Sequence, residues 1–375
     1  MKRGLDIVFL GLSLSSSWGN GHATTYRALL RGLAKAGHEA LFLERDMPWY
    51  ATRRDLPAPD FCEFELYDDP AEVVARHAAR IRSADAVIVG SYVPDGAEMI
   101  DRLAALGPRR LCFYDIDTPV TLAELARGER RYLTPQQMRA FDLYLSFSGG
   151  AVLDLLAARH GVRRPRALYC SVDAERYRPP AKRVVRWDLG YLGTYSPDRQ
   201  PGLERLLLEP ARRLPERRFV VAGAQFPPEI DWPANVERIE HVPPAEHPTF
   251  YGAQRFTLNL TRAAMRAAGW SPSVRLFEAG ACGTPVISDC WPGLGDFFPD
   301  GSAIIRAESP EDVVRALERI GPERCRAIGG AARAIVTARD TGLARARDLA
   351  ETIRATPPRA EQPHEAELAS EGARS

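Results

Sequence analysis

The feature that most restricts the fold is an alternation, along most of the 375 residues, of short apolar runs with amphipathic helical stretches. Apolar runs of this length are strands buried on both faces, and helices between them cover a parallel sheet. In the first half the strand candidates are Asp6 to Leu12, Glu39 to Glu44, Ala86 to Gly90, Arg110 to Tyr114 and Leu143 to Phe147. Helices are expected to begin near Ala23, Pro70, Gly96 and Gly150. A second series places strands at Asp188 to Leu192, Arg218 to Ala222, Val236 to Ile239, Phe256 to Asn259 and Pro285 to Ser288. Between the two series, Ser171 to Arg186 is rich in Pro and Arg and lacks periodicity, which marks a seam. The expectation is therefore an α/β chain of two doubly wound, Rossmann-like domains facing each other across a cleft. The first covers residues 1–172 and the second residues 173–345. Residues 346–375 are expected to give a terminal helix returning toward the first domain and then a disordered tail, because the sequence from Ala355 onward is polar and lacks hydrophobic anchors.

A chain 45% hydrophobic can fill two such cores. Its formal charge of +1, with both signs mixed along the chain, leaves no electrostatic footprint for nucleic acid, so any anion site must be local. The six cysteines are scattered, without a C-x-x-C pair or alternation with His, and read as free thiols in a reducing cytoplasm. No apolar stretch reaches the roughly 18 residues of a membrane span. Met1 to Leu14 has the outline of a signal peptide, but Asp6 interrupts it and no A-x-A site follows, so a buried first strand is expected instead.

In open α/β sheets ligands bind beyond the carboxyl ends of the strands, and the loops there carry the candidate chemistry. After the strand at Asp188, Gly193 permits a sharp turn, Thr194 and Ser196 offer hydroxyls, Arg199 offers a cation and Pro201 opens a helix. A diphosphate at such a helix start would meet free N–H groups, although Arg199 is equally readable as a solvated loop residue. In Ser271 to Ser288, Pro272 and Ser273 open a helix that Gly283 closes. Arg275 and Glu278 share one face of that helix: they either pair with each other, or Glu278 accepts hydrogen bonds from ribose hydroxyls while Arg275 and the helix N-terminus face phosphate. In the first domain Gly19, Asn20, Gly21, His22 and Thr24 follow the first strand, and Glu44 ends the second. This tempts a dinucleotide reading, but the third glycine is missing and the glycines come too late for the tight turn. Asp115 and Asp117 spell D-x-D at a strand end, which fits metal ligands, an acceptor contact acting as general base, or a cap before Pro119.

The run Arg275-Leu-Phe-Glu-Ala-Gly-Ala-Cys-Gly-Thr-Pro-Val-Ile-Ser288 resembles the donor-binding segment of group-1, family-4-like GT-B glycosyltransferases, usually E-A-x-A-C-G-T-P-V. Three further segments are similar to the same family in order: the connector Cys170 to Pro179, where the family form is G-V-D-x-x-x-F-x-P, the phosphate loop Leu189 to Arg199, and the loop Trp291 to Gly301. The resemblance implies a cytoplasmic glycosyltransferase of GT-B fold, using no cofactor or metal, that takes a nucleotide-diphosphate sugar and a glycan, lipid-linked or small-molecule acceptor. It implies that Glu278 holds the nucleotide ribose and that Gly193, Thr194, Arg199, Ser273 and Arg275 complete the donor site. Gly19, Asn20, Gly21 and Thr24 would border the acceptor, with His22, Asp115 and Asp117 as the catalytic candidates, and transfer would proceed with retention. One departure is Trp270, where the family commonly carries another glutamate. It keeps two other readings open, a GT-B nucleotide-sugar epimerase and a sugar-nucleotide-binding protein without turnover.

Overall fold

The computed structural model of the chain describes residues 3–19 and 21–359. Seven parallel strands form the first sheet: β1 (Asp6–Gly11), β2 (Glu39–Arg45), β3 (Glu63–Tyr67), β4 (Ala86–Gly90), β5 (Leu111–Asp115), β6 (Leu143–Ser146) and β7 (Pro165–Ala167). Their spatial order is β3-β2-β1-β4-β5-β6-β7. Six parallel strands form the second: β8 (Trp187–Leu192), β9 (Phe219–Ala222), β10 (Val236–Ile239), β11 (Gln254–Asn259), β12 (Val286–Ser288) and β13 (Ile305–Arg306), in the order β10-β9-β8-β11-β12-β13. The central strands β1, β4 and β5 are apolar apart from Asp6 at the start of β1 and Asp115 at the end of β5, and they are almost wholly buried, as strands covered by helices on both faces must be.

Strand order reverses between β1 and β4 in one sheet and between β8 and β11 in the other, which creates a crevice at the carboxyl end of each. The two domains share one apolar core: Phe147 and Cys170 of the first pack in the same cluster as Met265 and Leu276 of the second. The chain crosses between the domains twice, and the crossings are bridged, Val172 N donating to Asp340 O and Gly342 N to Val172 O. After the second crossing, helix Gly342–Ala355 returns to pack on helix His22–Lys35 of the first domain.

Two expectations need correction here. Strands β3, β7 and β13 are not among those expected, because all three lie at sheet edges and lack an apolar run: β3 carries Glu63 and Glu65, which pair with Arg80 and Arg76, β7 is three residues beginning with Pro165, and β13 is two residues, Ile305–Arg306. The chain is also anchored past Ala355. Arg110 Nε donates to Thr356 O at 2.6 Å, and Arg359 reaches Asp142 at 2.7 Å, so polar bonds hold this stretch where apolar anchors are absent. The rest of the expected tail, residues 360–375, lies outside the described residues.

Candidate functional site

A cleft of about 590 Å³ separates the two crevices. The loops after β1, β4 and β5 line it on one side, and the loops after β8, β9 and β11, with the start of helix Val274–Ala281, line it on the other. That helix ends in a Schellman arrangement, Gly283 N bonding Gly280 O and Thr284 N bonding Ala279 O, so its free N–H groups lie at the cleft and its carbonyls are satisfied at the far end. Ser273 is the N-cap by position, but its hydroxyl makes no capping bond and donates instead to Asn259 Oδ1 at 2.6 Å.

Arg275 does not pair with Glu278. Its Nε donates to Leu192 O at 2.5 Å, its Nη1 to Asn259 Oδ1 at 3.1 Å, and its guanidinium lies 4.8 Å from the centre of the Tyr191 ring. It therefore ties the ends of β8 and β11 to the helix. Gly193 leaves room for these side chains, since a Cβ there would come within 2.7 Å of the Arg275 guanidinium and the Tyr191 hydroxyl and push them aside. Arg199 is only partly committed: Nη2 donates to Thr194 O at 2.7 Å, while Nε is buried without a partner. Burial, followed by the neighbouring Arg275 and Arg262 cations, pushes the Arg199 guanidinium below its ordinary range. Arg262 also lines the cleft and makes no side-chain hydrogen bond or ion pair with the described residues. The adjacent Asp198 does not neutralise this cluster fully, since its carboxylate is engaged by Ala263 N at 3.0 Å and by the Ser196 hydroxyl. The result is a site of positive potential that lacks a matched anion.

Glu278 is 4% exposed. Its Oε2 accepts from Tyr251 Oη at 2.9 Å and lies 3.8 Å from His247 Nδ1. Burial alone would raise its pKa, but His247 and the hydroxyls of Tyr251 and Tyr177 hold the carboxyl below its ordinary range. Its Oε1 accepts no hydrogen bond from the described residues, although Glu278 lines the cleft. One oxygen is thus fixed by the protein and the other is left for a ligand. Tyr177, His247 and Tyr251 come from the connector and from a short helix remote in sequence, and no spacing linked them to Glu278.

On the first-domain wall Gly19, Gly21, His22, Thr24 and Asp117 all line the cleft, with Trp18 and Tyr92 beside them. Asn20 lies outside the described residues. His22 Nε2 is 3.7 Å from Asp117 Oδ2, and its buried Nδ1 has no partner among the described residues. Asp115 is removed from the site: it is fully buried, its Oδ1 accepting from Thr121 at 2.7 Å and its Oδ2 from Tyr144 at 2.6 Å. Burial, with the charge of Asp117 adding, raises its carboxyl to about 6. The two carboxylates of the D-x-D segment thus serve different surroundings and do not converge on one ligand position. Among the described residues no cluster of three His, Cys, Asp or Glu side chains is placed to hold a metal ion. Glu44, the ribose candidate of the dinucleotide reading, is consumed by the loop after β1. It accepts from Leu14 N, Ser15 N and the hydroxyls of Ser13 and Ser15. No helix of the described residues is long and apolar enough to cross a membrane.

Trp270, at the position of the missing glutamate, faces away from the cleft. Its backbone takes φ +41°, its Nε1 donates to Asp296 at 2.7 Å, and its ring lies against Gly150 of the first domain and Gly293 of the second. Gly149 N donates to Trp270 O, and the hydroxyls of Ser148 and Ser271 bond at 2.6 Å. Segment 269–272 is therefore a contact that joins the domains.

Residues 199–351 match the glycosyl transferase-like family model. No curated protein sequence matches the chain. Among solved structures, HepE of Anabaena in complex with UDP and glucose aligns with a TM-score of 0.66 at 14% identity, covering 94% of this chain and 100% of that one. Sucrose-phosphate synthase of Thermosynechococcus elongatus aligns at 0.66 and 16% identity over 94% of this chain and 98% of that one. An alpha-glucosyltransferase in complex with UDP-glucose and DNA containing an abasic site aligns at 0.69 and 13% identity over 94% and 100%. The family match falls on the domain that carries Arg199, Arg275 and Glu278, and the two facing parallel sheets give the chain the GT-B fold of these solved structures.

Proposed function

We propose that the protein transfers a glycosyl group from a UDP-sugar to a hydroxyl of a glycan, lipid-linked or small-molecule acceptor, with retention at the anomeric carbon and without a metal ion or cofactor. The observation that carries this reading is the wall on which Oε1 of Glu278 is left open beside the unmatched cations Arg199 and Arg262. A ribose diphosphate presents the complement, vicinal hydroxyls next to two phosphates. The neighbouring structures that hold UDP or UDP-glucose favour uridine.

In the reaction the acceptor oxygen bonds the anomeric carbon on the same face from which the β-phosphate oxygen departs, as the bond to that oxygen breaks, which is what retention in one step requires. The electron pair leaves on the diphosphate. Arg199, Arg262, Thr194 and the N-terminus of helix Val274–Ala281 face the growing charge, which is where preorganised donors lower a barrier most. Because these groups supply the positive charge, the reading requires no metal. In this reading Asp117, beside His22 on the first-domain wall, receives the acceptor proton. Arg275 acts indirectly by fixing β8 and β11, and Asp115 by holding Tyr144 and Thr121 under the cleft.

The test is incubation of pure protein with UDP-, GDP- and ADP-sugars, in the presence of chelator, with and without an acceptor panel. UDP release that requires an acceptor, with the product anomer matching the donor by NMR, is expected. Isomerised nucleotide sugar without an acceptor would make the protein an epimerase, and binding without consumption would make it a binding protein.

A further inference from the structure

The imidazole of His247 joins three groups that arrive from separate parts of the chain. Its Nε2 lies 3.1 Å from Val242 O, its Nδ1 3.2 Å from Tyr177 Oη and 3.8 Å from Glu278 Oε2. A carbonyl oxygen only accepts, so Nε2 carries the hydrogen and donates to Val242. Nδ1 faces the Tyr177 hydroxyl and the Glu278 carboxylate together, and a hydrogen on it serves that pair. The ring is further held edge-on between Tyr177 and Tyr251, at interplanar angles of 61° and 81°. Tyr251 itself donates to the same Oε2 of Glu278. Val242 and His247 both line the cleft. The family form of the connector has Phe where this chain has Tyr177, so the hydroxyl that reaches His247 is an addition of this sequence.

We propose that His247 is a positioning residue for donor recognition: anchored on Val242 O, it fixes the rotamer of Glu278 so that Oε1 meets the ribose hydroxyls. The inference rests on the reading of Glu278 as the ribose acceptor. Without the ring, Oε2 keeps only its tyrosine partners and the carboxylate can rotate, so its free oxygen is no longer held toward the ligand. The consequence is specific. Loss of His247 removes the discrimination between ribose and a sugar without hydroxyls, and a merely structural role would instead weaken both ligands together.

Calorimetry with UDP and 2′,3′-dideoxy-UDP on the full chain reads this directly. Wild type is expected to bind UDP at least about tenfold more tightly than the dideoxy analogue, since the lost hydroxyls leave a buried carboxylate unpaired. In His247→Ala the ratio should fall to within about twofold of one. In His247→Asn, whose amide can still face Glu278 from the Nδ1 position, part of it should return. If His247→Ala does not fold, Tyr177→Phe decides, with a threefold or greater loss of the ratio expected. A ratio unchanged in the folded variants overturns the inference. Glu278→Ala separates the two levels: if it abolishes the ratio while His247→Ala keeps it, only the role of His247 fails. If wild type shows no preference, or Glu278→Ala retains it, the ribose assignment fails as well.

Discussion

Replacing Arg199 with alanine should leave the free protein as stable as wild type or more so, while removing much of its catalysis. Arg199 is partly buried beside two other cations, and among the described residues its Nε has no partner and its guanidinium hydrogen bond is to Thr194 O. An unmatched charge of this kind costs stability until an anion arrives. The bound diphosphate supplies that anion, and a charge-assisted bond to it is worth about 1.5–3 kcal/mol. At about 1.4 kcal/mol per factor of ten, Arg199→Ala should lower kcat/KM by roughly ten- to a hundredfold. The loss should fall on kcat as well as on donor KM, because charge on the leaving oxygen grows toward the transition state. Arg199→Lys should lie between: a lysine ammonium keeps the charge but does not reproduce the fork that holds Thr194 O and leaves further N–H groups for phosphate. Steady-state kinetics, with melting curves taken with and without UDP, form the assay. The melting temperature without ligand should not fall and the UDP-induced rise should shrink. If alanine leaves kcat, KM and that rise unchanged, the reasoning is wrong and Arg262 with the helix N-terminus holds the phosphates.

Glu278→Ala should weaken UDP binding by about 1.5–3 kcal/mol in calorimetry, and it should also destabilise the fold, since the buried hydroxyl of Tyr251 loses its acceptor. Asp115→Asn should change stability in a pH-dependent way. The folded carboxyl titrates near 6 against 3.8 ordinarily, so the wild type is favoured at low pH and loses about 3 kcal/mol as pH rises through 6. Asparagine has no proton to lose, so urea unfolding should show the variant gaining on wild type between pH 4 and pH 7, and a constant difference would refute the raised carboxyl. Gly150→Ala should cost more in wild type than in Trp270→Ala. At φ +55° the new Cβ meets the Trp270 ring at 2.5 Å in the first background and only backbone strain of roughly 1–3 kcal/mol in the second. Additive losses in a double-mutant cycle would show that the ring does not bridge the seam.

The central strands and the helices between them were legible because burial on both faces leaves a signal within each segment. The edge strands β3 and β7 were not, since a strand with one partner needs no apolar run and β3 satisfies its acids by ion pairs with Arg76 and Arg80. The cleft-facing groups Gly193, Thr194, Arg199, Arg275 and Glu278 were also legible, as loops at strand ends and one helix carry them. What each of them bonds was not. Helical spacing pairs Arg275 with Glu278, yet Arg275 turns to Leu192 O and Asn259, and Glu278 to Tyr251 and His247. Those partners come from strand ends and a helix that only the folded chain brings near. Asp115 failed for the same reason: a strand end reads as cleft-facing, and Tyr144 on the neighbouring strand β6 draws its carboxylate inward.

Trp270 shows how such a departure from a motif is absorbed. A glutamate turned toward a ligand can adopt an ordinary backbone, whereas this tryptophan takes a positive φ, and its ring needs a neighbour without a side chain on either side. Gly150 and Gly293 provide that, and Gly149 adds a backbone bond across the seam. The substitution and the glycines are thus one feature, divided between the domains. It removes a carboxylate from the second-domain wall and adds a joint between the walls. The carboxylates that remain among the described lining residues are Glu278, held by its tyrosines and His247, and Asp117. On the proposed reading the carboxylate that serves the reacting groups is then Asp117 on the first-domain wall, and the joint at Trp270 ties that wall to the domain that carries Arg199 and Glu278.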